Sequence, residues 1–133
     1  MVQPNILFLI IDSFGTEKCV GPKKTSKTPH IDKLIETGVF FDHAISVSDG
    51  TAPSWGSLFT SLYPFKSGIR GEIPVELSSK VTNFVNILKK SGYHTYGFMP
   101  DYGTALGLAE PFENNDKSYS GYDSLSQGVG EKI

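Results

Sequence analysis

The apolar positions of this chain fall into alternating short runs and helical stripes. "NILFLIID", residues 5–12, is apolar without a break until its closing carboxylate. A run of that kind fits a parallel strand covered on both faces. "TPHIDKLIETG" then changes period: Ile31, Leu34 and Ile35 share a helical face, Thr28 stands where an N-cap belongs, Pro29 takes the first helical position and Gly38 stops the helix. "VFFDHAISV", at 39–47, is rich in strand formers and precedes a polar loop, Ser48-Asp49-Gly50, that reads as a tight turn. Pro53 opens a second helix, 53–62, with Trp55, Leu58, Phe59 and Leu62 on one face. A third, 79–90, places Val81, Phe84, Val85 and Leu88 at helical spacing, carries Lys89 and Lys90 in its last turn and stops at Gly92. "YHTYGFM", 93–99, reads as a third strand, and the sequence from Asp101 onward shows no clear element. Strands alternating with helices predict an α/β domain of three layers, αβα, around a mostly parallel sheet.

Composition narrows the function without naming it. A chain of 133 residues with 38% hydrophobic residues is sized for one domain. A net charge of −2 gives no reason to expect nucleic acid as a partner. The single cysteine, Cys19, excludes an internal disulfide and a cysteine-built zinc cluster. The run at 6–11 is too short to span a membrane and lacks the basic start of a signal peptide, so the expectation is a cytoplasmic protein with no membrane segment.

In open parallel sheets ligands collect beyond the carboxyl ends of the strands, where Asp12 and Thr51 both fall. A helix N-terminus stabilises an oxyanion, which suits Thr51 to be a nucleophile if a metal or base activates it, and Asp12 could hold that metal. The residues alone favour a plainer reading: Thr51 as a helix cap and Asp12 as the cap of a turn. Trp55 could stack on a substrate or pack in the core. Asp101, after the third strand, and Lys23, in a small basic cluster with Lys24 and Lys27, are subsidiary substrate-binding candidates. His30, His43 and His94 lack the spacing of a ligand set.

Four stretches in order, "PNILFLIIDSFG", "TPHIDKLIETGVFFDHAIS", "TAPSWGSLFTSLYPFKSGI" and "ILKKSGYHTYGF", resemble the N-terminal part of the sulfatase family of the alkaline phosphatase superfamily, over roughly Pro4 to Phe98. The resemblance implies an alkaline-phosphatase-like fold, present in part, with residues 1–133 forming the N-terminal portion of the catalytic domain and its C-terminal part absent. It implies that Asp12 is a metal ligand and that Thr51, heading the helix after the second strand, is both nucleophile and metal ligand. The metal would be divalent, as Mn, Zn, Mg or Ca. Sulfatases carry at that helix head a Cys or Ser that matures to formylglycine, and no formylglycine is expected from Thr51. The family's second metal-binding Asp is Ser13 here, its motif arginine is Trp55, and the Lys after the third strand falls near Pro100. A Thr nucleophile resembles the phosphoryl-transfer relatives, such as lipoteichoic acid synthases and phosphoglycerol transferases. The expectation is therefore a metal-dependent hydrolase or transferase acting on a small anionic ester, phosphate ahead of sulfate, and incomplete and inactive as 133 residues alone. The alternative is a non-catalytic fragment or binding domain that keeps the fold without a complete metal site.

Overall fold

A computed structural model describes residues 3–71, 76–78, 80–114 and 118–119. The chain divides into two compact units, Met1–Ala44 and Ile45–Ile133.

In the first unit, a one-turn helix α1, Thr16–Cys19, leads into a loop folded back on itself, in which the Lys18 carbonyl accepts the N–H groups of Thr25 (3.1 Å) and Ser26 (2.9 Å). Helix α2, Pro29–Thr37, has the expected bounds, with Pro29 at its start and Thr28 at the N-cap. The Thr28 hydroxyl donates to the Asp32 carboxylate (3.2 Å) rather than capping the backbone, and Lys24 Nζ reaches the same Asp32 oxygen. That ammonium hydrogen bond, with the Thr28 hydroxyl after it, holds the Asp32 carboxyl below the usual carboxylate range. Cys19 is the one buried apolar residue of this unit among those described.

Two expected strands need correction. Residues 5–11 and 39–47 belong to no ladder among the described residues, and Ile6 through Ile11 stand exposed, Leu7 at 90% and Leu9 at 74%. An uninterrupted apolar run records that both faces require cover, but it does not specify the neighbour that supplies it. The stretch after Phe41 also bends at Asp42 and His43, where the imidazole Nδ1 lies 2.8 Å from Asp42 Oδ1.

The second unit holds the core. Helix α3, Thr51–Thr60, starts two residues earlier than Pro53 predicts. Its buried face is Ala52, Gly56 and Phe59, whereas Leu58 and Leu62 of the expected stripe are exposed. A Cβ on Gly56 would stand 2.8 Å from Ile69 Cδ1, so the missing side chain is what lets the fully buried Ile69 reach the helix. Helix α4, Pro64–Ser67, follows, and then α5, Phe84–Lys90, five residues shorter at its start than the predicted 79–90, of which Ser79 lies outside the described residues. The start is set by Asn83, whose side-chain oxygen accepts the Asn86 N–H (3.1 Å). Its end is as expected: Gly92, at φ +86°, donates to Lys89 O (2.9 Å) while Tyr93 donates to Leu88 O (3.1 Å), which closes the last turn by the left-handed glycine motif.

Of the predicted third strand, residues 93–98 belong to no helix and no ladder. The sheet among the described residues consists of β1, Met99–Pro100, and β2, Ser118–Tyr119, paired in parallel, with the short helix α6, Asp101–Ala105, between them; β2 and α6 fall where the sequence predicted no element. Before that ladder begins, side chains take its place. Thr95 N–H donates to Glu113 Oε1 (3.0 Å) and Glu113 N–H to Thr95 O (2.8 Å), while Gly97 exchanges two bonds with the Asn114 amide (2.9 and 2.8 Å). The predicted three-stranded parallel sheet is thus not present among the described residues. Leu106 and Leu108, fully buried beyond α6, join Ala52, Phe59, Ile69, Val85, Met99 and Ala109 in the core. Among the described residues no helix is long and apolar enough to cross a membrane.

Candidate functional site

Thr51 is delivered by a loop that hydroxyl groups brace. Ser46 Oγ donates to Ser48 O (2.6 Å) and lies 3.1 Å from Ser54 Oγ, which itself donates to Ser48 O (3.0 Å). Ser48 Oγ in turn accepts the Gly50 N–H (3.3 Å) and donates to Asp49 Oδ1 (3.4 Å). Three serines therefore tie the turn at 46–50 to the first turn of α3. Gly50 is the N-cap residue and Thr51 the first residue inside the helix, so the plainer reading of Thr51 as N-cap does not describe its position. Pro53 brings no N–H to this end, and Gly50 donates its own to Ser48 Oγ. Thr51 itself is half-buried.

Trp55 follows one turn after Thr51 on the same side of the helix. Its ring meets Tyr102 edge-on, centroids 6.5 Å apart and planes at 66°. A Cβ on Gly103 would come within 2.8 Å of Met99 Sδ and 3.1 Å of Trp55 Cζ3. Trp55 is thus packed, half-buried, against α6, and the packing brings the head of α6 beside the first turns of α3. Asp101 is exposed at that head, its Oδ1 accepting the Tyr102 N–H (2.8 Å). Thr51, Trp55 and Asp101 all lie in the second unit, with Trp55 against the residues that follow Asp101.

Asp12 and Lys23 lie in the first unit. Asp12 is exposed at the end of the apolar run, where its Oδ2 accepts the Ser13 hydroxyl (3.3 Å), and Ser13 turns the chain at φ +55°, a left-handed conformation that an Asp or Asn adopts more readily than a Ser. Lys23 is exposed, and the pairing of Lys24 with Asp32 reduces the basic cluster around it. Among the described residues no three His, Cys, Asp or Glu side chains come together as a group able to hold a metal.

Sequence reasoning missed the serine brace and Tyr102. Ser46, Ser48 and Ser54 gave a signal, since hydroxyl-rich turns before a helix bond their own backbone. Tyr102 gave none, because only the packing of α6 brings it to Trp55.

The sulfatase family model matches residues 4–127. An N-acetylgalactosamine-6-O-sulfatase of Bacteroides thetaiotaomicron is 33% identical over 111 residues, 79% of this chain and 21% of that protein. Human arylsulfatase D is 31% identical over 105 residues, 70% of this chain and 18% of the relative, and rat steryl-sulfatase is 32% identical over 104 residues, 69% and 18%. No solved structure matches at a significant level. The chain spans about a fifth of the length of these relatives. With the family's model covering nearly all of its residues, this chain belongs to the sulfatase family.

Proposed function

We propose that residues 1–133 form the N-terminal portion of the catalytic domain of a metal-dependent hydrolase or transferase that acts on a small anionic ester through Thr51. Family membership carries with it the alkaline-phosphatase-like α/β fold, and the three-layer arrangement, with residues 5–11, 39–47 and 93–99 as parallel strands, is part of the proposal. The observation that supports it most is the position of Thr51 at the first residue of α3, behind a braced turn.

The chemistry favours phosphate over sulfate esters because the nucleophile position holds a hydroxyl on a branched carbon, which does not mature to formylglycine. In this reading the Thr51 oxygen bonds to phosphorus as the bond to the leaving alcohol breaks, and the hydroxyl proton finishes on that alcohol. Water then releases phosphate from Thr51, or an acceptor alcohol takes it. The positive end of the α3 dipole faces the charge on the equatorial oxygens. Trp55 and Asp101 contact the rest of the substrate, and Lys23 attracts it. Asp12 supplies one metal ligand. Asp12 and Thr51 are two donors where a stable divalent site takes at least about three or four, so the described residues do not compose the site, and no step is derived through the metal.

The test expresses the protein from its full reading frame and assays wild type, Thr51→Ala, Thr51→Ser and Thr51→Cys on phosphodiester, phosphomonoester and aryl sulfate substrates. Thr51→Ala should lose activity by about 10³-fold or more while changing stability by about 1 kcal/mol or less, since Gly50 and not Thr51 caps the helix. Thr51→Ser should keep much of the phosphoesterase rate. Thr51→Cys should gain little sulfatase activity even with a formylglycine-generating enzyme, because Trp55 stands at the motif arginine. Near-normal turnover of every ester by Thr51→Ala would end the proposal, and a wild-type preference for aryl sulfate would reverse its choice of ester.

A further inference from the structure

We infer that Ser46 is a positioning residue for Thr51: its hydroxyl does not meet substrate and acts by fixing the backbone that leads into the nucleophile. This rests on the reading of Thr51 as nucleophile. Ser46 Oγ grips both polar groups of one residue, donating to the Ser48 carbonyl (2.6 Å) while the Ser48 N–H reaches back to it more loosely (3.5 Å). Ser54 Oγ, from the first turn of α3, donates to the same carbonyl (3.0 Å) and lies 3.1 Å from Ser46 Oγ. Gly50 is held from both sides, its N–H donating to Ser48 Oγ (3.3 Å) and its carbonyl accepting the Ser54 N–H (3.2 Å). That carbonyl shares its peptide plane with the Thr51 nitrogen, so the plane from which Thr51 departs is tied to the helix on one side and to the braced Ser48 on the other. All of these contacts fall between residues 46 and 54, inside one unit of the chain.

The count of protons separates Ser46 from Ser54. Each hydroxyl has one proton to give, and the Ser48 carbonyl, with two lone pairs, takes both. Without the Ser46 hydroxyl, the Ser54 bond to that carbonyl and the bond from the Ser54 N–H to Gly50 remain, so α3 keeps its start. The carbonyl is then held by one bond where it had two, and the approach to Thr51 loosens. A nucleophile displaced by about 1 Å loses about 10²-fold in rate, so a partial loosening is felt in the chemical step while substrate binding, in which Ser46 has no part, stays as it was.

The test uses the protein expressed from its full reading frame and compares wild type, Ser46→Ala, Ser46→Thr and Thr51→Ala on p-nitrophenyl phosphate, bis-p-nitrophenyl phosphate and p-nitrophenyl sulfate. On the ester that wild type turns over fastest, Ser46→Ala should lower kcat about tenfold and leave KM within about twofold, and Ser46→Thr, which keeps the hydroxyl, should restore kcat. Orthovanadate, which takes the five-coordinate shape of phosphoryl transfer, should inhibit Ser46→Ala about tenfold less strongly, whereas inorganic phosphate should inhibit it as it does wild type. Amide exchange over residues 46–54 should quicken in Ser46→Ala and stay unchanged over α5. Full kcat in Ser46→Ala beside an inactive Thr51→Ala would overturn the inference and leave the nucleophile standing, whereas near-normal turnover by Thr51→Ala would remove both. A lowered kcat that Ser46→Thr does not restore, or one accompanied by faster exchange through α5, would make Ser46 a residue of the fold alone and overturn the inference as well.

Discussion

Met1–Ala44 contains the most hydrophobic run of the chain and buries one apolar residue, Cys19, among those described; Ile45–Ile133 contains no such run and buries eight. The difference lies in how the apolar positions are spaced. In the second unit they are distributed among short helices and turns that fold on one another, so Ala52 and Phe59 of α3, Val85 of α5, Met99 of β1 and Leu106 beyond α6 meet within one stretch of chain. In the first unit they are consecutive along the chain, and such a run cannot cover its own two sides. Hydrophobic content alone is a poor guide to where a core forms; the closeness in sequence of elements that can close around it is a better one.

The comparison can be broken by mutation. The largest effect is expected at Leu106, fully buried in the second unit: Leu106→Ala should cost about 2–5 kcal/mol in chemical denaturation. Leu34→Ala, on the exposed face of α2 in the first unit, should stay within about 0.5 kcal/mol. Equal effects would show that the two units share one core.

A smaller change, of opposite sign, is expected at Ser57. Its hydroxyl is buried in α3 without a hydrogen-bond partner, and Ser57→Ala removes that uncompensated polar atom, so stability should rise by about 1 kcal/mol. A measured loss on denaturation would mean that the hydroxyl has a role in the folded chain.

The subtlest effect is pH-dependent, and each unit contains one carboxylate that should show it. The Thr95 N–H, followed by the His94 imidazole, holds the Glu113 carboxyl below its ordinary value of 4.5, as Lys24 and Thr28 hold Asp32 below 3.8. A carboxyl lowered in the folded state contributes stability that is complete above its ordinary value and disappears as pH falls through the lowered one. The thermal midpoint should therefore drop below about pH 4.5, and Glu113→Gln should flatten that drop in the second unit while Asp32→Asn flattens it in the first. A profile unchanged by both substitutions would show that neither tie contributes to folding.

Several elements were legible in the sequence because local chemistry decides them. Thr28-Pro29 starts α2 and Gly92 ends α5 through contacts made within a few residues, and both stand where the pattern placed them. The start of α5 was misread because Val81 continues the apolar spacing of Phe84 and Leu88, while the buried Asn83 side chain caps the helix two residues later. Helix α6 was invisible, as "DYGTA" has no apolar stripe of its own and is held by Trp55 and Met99 against Gly103. The head of α3 was legible as a place for Thr51. What the residues did not reveal was the serine brace behind it, or that Trp55 would be packed against α6.

The way residues 95–97 are held has a genetic consequence. A main-chain ladder is indifferent to side-chain identity and survives almost any codon change except one that introduces proline. Here the partners of Thr95 and Gly97 include a carboxylate and a carboxamide, Glu113 and Asn114, which supply three of the bonds along that edge. A single missense change at either position removes bonds that a ladder would have kept. This edge is thus specified residue by residue, more open to inheritance of damage and, for the same reason, easier to rewire.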